Sequence, residues 1–582
     1  MKNKVAKNIL LFVGLILFVI ILVYTLIYVQ NPIKTDTDTS AVRIDDDMII
    51  VPEPDVVKKD KFVDNILNIF GLQTIEDDEI PLATSSYNAK DVGMVPNDPS
   101  KALLNANQII KVLNSSGKIV IDDKYYVTTP SEKLITGNIE ITGTDNAELV
   151  VSNEYSSKLF DTSTIKTISV NNLTFENENS KSAFLIVYND KKSGSKVEKV
   201  DVRSCTFNGN ISLYRQYGDI NLDPDTFDFG IDKFVFENNT VMNTKFSFIV
   251  LADIPVEYCE IVGNRIQNFT HSFINISITN ETVNSVKLYN HISFLKVDSN
   301  TVICDDNWWG DDESGLYYTF VSFEGYEVLY NNNYVEGMKT RTNYAVYDSY
   351  LNSNIVNYTN NTWKNNICFA PNKSNNTLLK SKEGGSVSLT RNYSGNSFIV
   401  EESFAERVGQ SKENLFIDFI SLTQHADTYN ISNNTFDIYD LRFPESSLSI
   451  SDYSLSNNII KARKASGNLS LIRMEDGYTV DSINICDNII DIELLEGSSF
   501  NVVKMVDARE STKDIASKIY VRNNKITAPI GYIFYNVISE DLEFTNNTIS
   551  ITGSKYSGMA YKGGFTKSNI SNNIIEAGNA LT

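Results

Sequence analysis

The sequence predicts an all-β protein whose bulk is one right-handed parallel β-helix, a solenoid preceded by a membrane anchor. Three observations carry this expectation. One is an unbroken apolar run near the start, and another is a composition of strand formers and turn residues without a helical excess. The last is a short phrase that recurs fourteen times along the chain.

The apolar run spans Ile9 to Val29, relieved only by Gly14, Thr25 and two tyrosines. At helical rise it covers about 30 Å, the hydrocarbon thickness of a bilayer. Lys2, Lys4 and Lys7 precede it, so residues 1–8 are expected in the cytoplasm and everything after residue 30 outside. Tyr24 and Tyr28 then sit at the outer interface. The run is longer than the apolar region of a signal peptide, and "IYVQNPIKTD" offers no small-x-small cleavage site. Residues 9–29 therefore read as a single-pass transmembrane signal anchor.

Residues 30–86 form an acidic extracytoplasmic spacer. Between Asn31 and Ser86 there are 13 acidic and 5 basic residues, with Pro32, Pro52, Pro54 and Pro81 interrupting. Such a stretch repels itself and buries little. Inside it "KKDKFVDNILNIFG" has the pattern of a short helix, with Asp60 as N-cap and Gly71 beyond its end.

Residues 87–164 begin the outer domain. Asp98 followed by Pro99 reads as N-cap and first helical residue. Ala102, Leu103, Ala106, Ile109, Ile110 and Leu113 make one apolar stripe, and Gly117 follows its end. An amphipathic helix placed before a stack of strands suits a lid on an exposed core end. Ile119–Ile121 and Tyr125–Val127 read as the first strands.

Residues 165–582 repeat. Alternating apolar residues lead to a pair that usually contains Asn, and another strand former follows. Examples are "FVFENNTV" at Asn239, "NYTNNTW" at Asn361, "YSLSNNII" at Asn458 and "LEFTNNTI" at Asn547, with Cys205 in the marked place of "VDVRSCTF". The copies are 23 to 38 residues apart, and they lack the Leu or Ala at fixed helical spacing that leucine-rich and helical repeats need. Each unit holds two or three period-2 runs, one coil of a β-helix. The same Asn is expected to take the left-handed corner conformation and to hydrogen-bond up the column. Asn-x-Thr triplets such as "NFT" at Asn268 follow from Asn beside Thr and carry no modification signal alone.

A formal charge of -22 argues against nucleic acid and anionic lipid headgroups as main partners. The five cysteines contain no C-x-x-C pair and read as small core residues. The three histidines lie far apart, so neither a metal nor a cofactor is implied.

From about Tyr87 onward the chain resembles the pectate-lyase-like right-handed parallel β-helix superfamily. The resemblance rests on the coil phrase and on "NAKDVGMVPNDPSKALLNANQIIKVLNSSGKIVI". There Ala89, Lys90, Asp91, Asp98 and Gly117 match the superfamily's opening outline, while Val92 and Asn97 depart from it. What it implies is the fold. The superfamily includes lyases, glycoside hydrolases, tailspikes and non-catalytic surface proteins, so it implies no single activity. The Asn-Thr-Asp, Gly-His-Gly and Arg-Ile-Lys strings of its polygalacturonase-type hydrolases are missing.

Candidate chemistry is read from the residues themselves. Strands after the Asn corner often end in a carboxylate, which gives a stripe of candidate catalytic acids: Glu324, Asp348, Asp452, Asp476 and Asp507. If coils keep register, Glu324 and Asp348 lie one strand apart, about 5 Å, as a glycosidase pair requires. Tyr347, Arg473, Lys504 and Arg509 are candidate substrate-binding residues beside them. In "CDDNWWGDDESGLYY", Trp308 and Trp309 offer rings for sugar faces among five acids whose spacing does not match a calcium-binding EF-hand loop. The expected function is a membrane-anchored cell-surface protein that binds glycan or another envelope component without catalysis. The alternative is a polysaccharide hydrolase or lyase acting through the acid stripe. A homo-oligomer is compatible with either.

Overall fold

The computed structural model describes residues 87–577 apart from short gaps and the segments 189–195, 218–229, 278–291, 306–318, 338–345, 349–354, 367–389, 405–425, 439–444 and 506–515. The expected anchor at 9–29, the spacer and the short helix near Asp60 lie outside the described residues. Among the described residues no helix is long and apolar enough to cross a membrane. The chain divides into Met1–Ile80 and Pro81–Thr582, and everything below concerns the second unit.

That unit is a parallel β-helix. Two sheets of sixteen strands run through it, and each strand pairs with its counterpart one coil away. In the first wall, for example, Lys196–Arg203 pairs with Gly230–Glu237, which pairs in turn with Val256–Val262, all parallel. A corner leads to the second wall, where Thr206–Gly209 pairs with Thr240–Thr244. Among the described residues the third wall comprises a seven-stranded and a five-stranded sheet. Sixteen strands at about 4.8 Å spacing make a stack of roughly 70 Å.

The coils begin before the recurring phrase does. Lys118–Ile121 with Lys124–Val127, and Asn138–Gly143 with Glu148–Val151, form two coils without an Asn pair. At the first of these corners Asp122 and Asp123 do the work. Asp122 accepts from the Tyr125 hydroxyl at 2.7 Å, and Asp123 accepts from the Lys124 amide at 2.8 Å.

The Asn corner divides between two residues the roles that the sequence suggested for one. The first residue of the pair is left-handed: Asn238 (φ 55°), Asn332 (φ 53°), Asn360 (φ 54°) and Asn433 (φ 57°) are examples. Ser204, Ser299, Asp487, Gly263 and Gly395 take the same place elsewhere. The second residue is buried and forms the ladder. Asn239, Asn264, Asn300, Asn333, Asn361 and Asn396 are each about 1% exposed, and the series runs on to Asn547. Asn239 Oδ1 accepts from the Cys205 amide, and from Asn264 onward each Oδ1 accepts from the backbone N–H and Nδ2 of the Asn one coil earlier. Each Asn's own Nδ2 donates to a first-wall carbonyl and to the next Oδ1. The division has a simple cause. A left-handed turn points one side chain outward, and only its neighbour then faces the stack.

Inside, alternate residues of each strand form one continuous core from Ala89 to Ile551. Aromatic rings stack coil on coil, as in Phe175–Phe207 at 5.2 Å, Tyr358–Tyr393 at 5.0 Å and Trp363–Phe398–Phe436 at 4.8 and 4.9 Å. Such pairs add about 0.5–1.5 kcal/mol beyond their burial. Cys205 and Cys259 are buried free thiols, Cys304 is buried and Cys486 is half-buried.

Ahead of the first coil, Asp98 caps a 3-10 turn at Pro99–Lys101 by accepting from the Ser100 amide at 2.9 Å. Helix α1 follows over Ala102–Ser116, and Gly117 ends it at φ 69°. Ala106, Ile109, Ile110 and Leu113 join the core. Leu103, placed by the periodicity in the same stripe, is instead 49% exposed. It lies at the margin of the stripe, where the first coil no longer covers it.

Candidate functional site

The five-stranded part of the third wall brings two of the sequence-selected residues together. Its strands are Glu445–Ser446, Asn468–Met474, Ser499–Met505, Ile530–Tyr535 and Gly558–Tyr561. Ile472, Val503 and Phe534 stack in register and are fully buried. One residue further along, strand alternation turns the chain to the opposite face. There Arg473 pairs with Lys504, Lys504 with Tyr535 and Tyr535 with Tyr561, while Glu445 lies opposite Arg473.

The result is a column of two cations followed by tyrosine rings. Lys504 Nζ lies 5.4 Å from the centre of the Tyr535 ring, which stacks on Tyr561 at 5.0 Å. Tyr532 closes a triangle, 5.8 Å from Tyr535 and 5.0 Å from Tyr561. Its amide donates to Asn501 Oδ1 at 3.2 Å, which fixes the strand beneath the rings. Arg473, Lys504, Tyr532, Tyr535 and Tyr561 are all half-buried. Chemically the column offers charged donors at one end and flat ring faces at the other.

Sequence reasoning selected Arg473 and Lys504 but missed the three tyrosines. The signal was present only in part. "LIRM" and "VVKM" align Arg473 with Lys504, and "YIFY" and "GMAY" align Tyr535 with Tyr561, but the two pairs meet in one column only through the register shift between Phe500 and Asn501.

The other selected residues are dispersed. Tyr347 and Asp348 belong to Val346–Asp348, at the end of the seven-stranded sheet. Their register partners are Ser322 and Phe323. Asp348 therefore sits one residue out of the expected pairing with Glu324, which lies outside the described residues. Asp452 is exposed on the first wall in Ile450–Ser456, between Thr428 and Ser482. Asp348 and Asp452 thus belong to different walls. Trp308, Trp309, Asp476, Asp507 and Arg509 also lie outside the described residues. Among the described residues no three His, Cys, Asp or Glu side chains come together as a metal site.

A carboxyl pair that the sequence did not flag lies on the second wall near the N-terminal end. Lys124 Nζ is 3.0 Å from Glu148 Oε1, in register one coil away. A hydrogen bond to Glu148, with burial behind it, holds the Glu176 carboxyl above the usual carboxylate range. Carboxyls in direct hydrogen bond are closer than the roughly 5–5.5 Å of a retaining glycosidase pair.

Comparison with protein-family models, with curated proteins and with solved structures found no match to this chain.

Proposed function

We propose that the protein is a membrane-anchored, extracytoplasmic β-helix protein that binds a glycan or another envelope component without cleaving it. The column Arg473–Lys504–Tyr535–Tyr561, flanked by Tyr532, carries this reading. Half-exposed rings in line with cations suit a polyhydroxylated chain, whose apolar faces lie on the rings while its polar groups meet the cations. A flat, pre-formed column on a rigid wall loses little entropy when it binds. Right-handedness, the lid role of α1, the anchor at residues 9–29 and kinship with the pectate-lyase-like superfamily belong to the same proposal.

The alternative is a polysaccharide hydrolase or lyase. Of its acids, the two that are described lie on different walls, so the non-catalytic reading is preferred.

One experiment separates the two. Residues 87–582, which hold the whole core, are run in affinity electrophoresis against a polysaccharide panel. The same mixtures are assayed for new reducing ends and for the absorbance of unsaturated uronates. Retardation that Lys504→Ala and Tyr535→Ala abolish, without products, supports the proposal. Product formation replaces it with the enzyme, and retardation untouched by both substitutions removes the column from the function.

A further inference from the structure

A second surface lies at the opposite end of the solenoid, on the outer side of α1. Leu103, Asn107 and Asn114 fall on one row of the helix, and Leu104 and Lys111 on the adjoining row. Leu103 and Leu104 are 49% and 40% exposed, and Lys101 and Lys111 are exposed beside them. Loop 128–137 lies along the first row. Asn107 Oδ1 accepts from the Ser131 amide at 2.8 Å, and Asn114 Oδ1 accepts from the Ile135 amide at 2.8 Å. Asn114 Nδ2 donates to the Lys133 carbonyl at 2.8 Å. These bonds set exposed Lys133 and 70% exposed Ile135 next to the helix.

The charge here opposes that of the chain. From Pro99 to Lys118 there are three lysines and no acid, in a protein of net charge -22. Loop 128–137 adds Lys133 and one acid, Glu132. Asp98, just ahead of the helix, is turned onto the Ser100 amide and hydroxyl at 2.9 and 2.7 Å, and Glu140 is held by Lys118 at 2.8 Å. Lys101, Lys111 and Lys133 enter no ion pair among the described residues. Apolar side chains at the margin of a cationic helix face are the pattern of an interfacial membrane contact.

We propose that this face of α1 seats on an anionic lipid surface. Leu103, Leu104 and Ile135 enter the headgroup boundary, and Lys101, Lys111 and Lys133 meet the lipid phosphates. The net charge of the chain does not oppose this. Screening acts over about 8 Å at physiological ionic strength, whereas the coils extend over roughly 70 Å, so the acids of distant coils are not felt. In sequence, α1 is also the part of the solenoid nearest the apolar run at 9–29. The inference stands independently of glycan binding, which belongs to coils at the other end.

The test is co-sedimentation of residues 87–582 with vesicles of phosphatidylcholine alone or mixed with phosphatidylglycerol. The fragment lacks residues 9–29, so binding reports this face alone. Binding is expected only with phosphatidylglycerol, and it weakens as salt is added. A lysine near an anionic surface is worth roughly fivefold in affinity, so Lys101→Gln with Lys111→Gln lowers binding about 25-fold. Leu103→Asn with Leu104→Asn lowers it without changing the salt dependence, and Lys504→Ala leaves it intact. Circular dichroism of each variant checks the fold, and because all four side chains are exposed, the two pairs act as independent reporters. No binding to phosphatidylglycerol vesicles overturns the proposal, as does binding that both double variants retain.

Discussion

Adjacent residues of one Asn pair should respond oppositely to the same substitution. Asn361 is buried in the ladder. Its Oδ1 accepts from the Asn333 amide and from Asn333 Nδ2, both at 2.9 Å. Its Nδ2 donates to the Tyr330 carbonyl at 2.6 Å and to Asn396 Oδ1 at 3.0 Å. Asn361→Gly leaves the Asn333 amide and the Tyr330 carbonyl buried without these partners. Each orphaned group costs about 1–3 kcal/mol, so the substitution should cost roughly 3 kcal/mol or more. Asn360 is exposed, with φ 54°. Asn360→Gly gives this left-handed site the residue that suffers least there, so it should be nearly neutral. Backbone entropy changes equally in both variants and cancels from the comparison. Because stability in solenoids is partly local, the assay is amide hydrogen exchange in residues 87–582. Protection of the Asn333 amide and its neighbours should fall on the order of a hundredfold in Asn361→Gly and little in Asn360→Gly. Equal effects, or a larger loss from Asn360→Gly, would refute the division of roles.

Other outcomes follow from the same geometry. The Glu176 carboxyl titrates above its ordinary range in the folded protein because it shares a proton with Glu148. A raised folded pKa means stability that is full below the unfolded value and lost as pH climbs through the folded one. Protection of the first coils, corrected for the intrinsic pH dependence of amide exchange, should therefore be lower at neutral than at mildly acidic pH, and Glu176→Gln should abolish that difference. Burial pushes the Cys205 thiol up to about 12 and the Cys259 thiol higher still. Iodoacetamide should therefore leave both unmodified until the coils unfold, as peptide mapping would show. Gly209 has φ 90°, and a Cβ there would meet the Asn177 carbonyl oxygen at 2.2 Å. Gly209→Ala should lower the thermal midpoint well below that of a substitution such as Lys461→Ala on an exposed strand position.

The coil architecture was legible because it rests on local rules repeated many times. Period-2 alternation and the Asn pair survive any insertion between coils, so variable loops do not hide them. What could not be read was anything that depends on the alignment of one coil with another. Fourteen phrases were visible where sixteen coils exist, because the first two corners use Asp122–Asp123 and Thr144–Ala147. The expected Glu324–Asp348 pairing needed a register that loops of unequal length do not reveal, and Asp348 instead stands beside Phe323. Arg473 and Lys504 were chosen as neighbours of acids. The structure keeps them together on the five-stranded sheet but surrounds them with Tyr532, Tyr535 and Tyr561.

These outcomes point to where function can be written on such a fold. The first two walls and the corner between them are committed to structure, since each ladder Asn bonds to coils on both sides and tolerates no shift in register. Among the described residues the third wall shows only short runs of such bonds, as from Asn268 to Asn243 and from Asn243 to Asn208 where the chain enters it. Its outward positions, free of the corner's demands, are the ones able to change residue by residue while the core beneath, Ile472–Val503–Phe534, stays apolar. A binding column of the kind formed by Arg473, Lys504, Tyr535 and Tyr561 is therefore built across coils, one side chain per strand. A single loop carries no comparable constellation among the described residues. Substitutions along that column should alter binding without disturbing the ladder, whereas substitutions in the ladder should disturb every column at once.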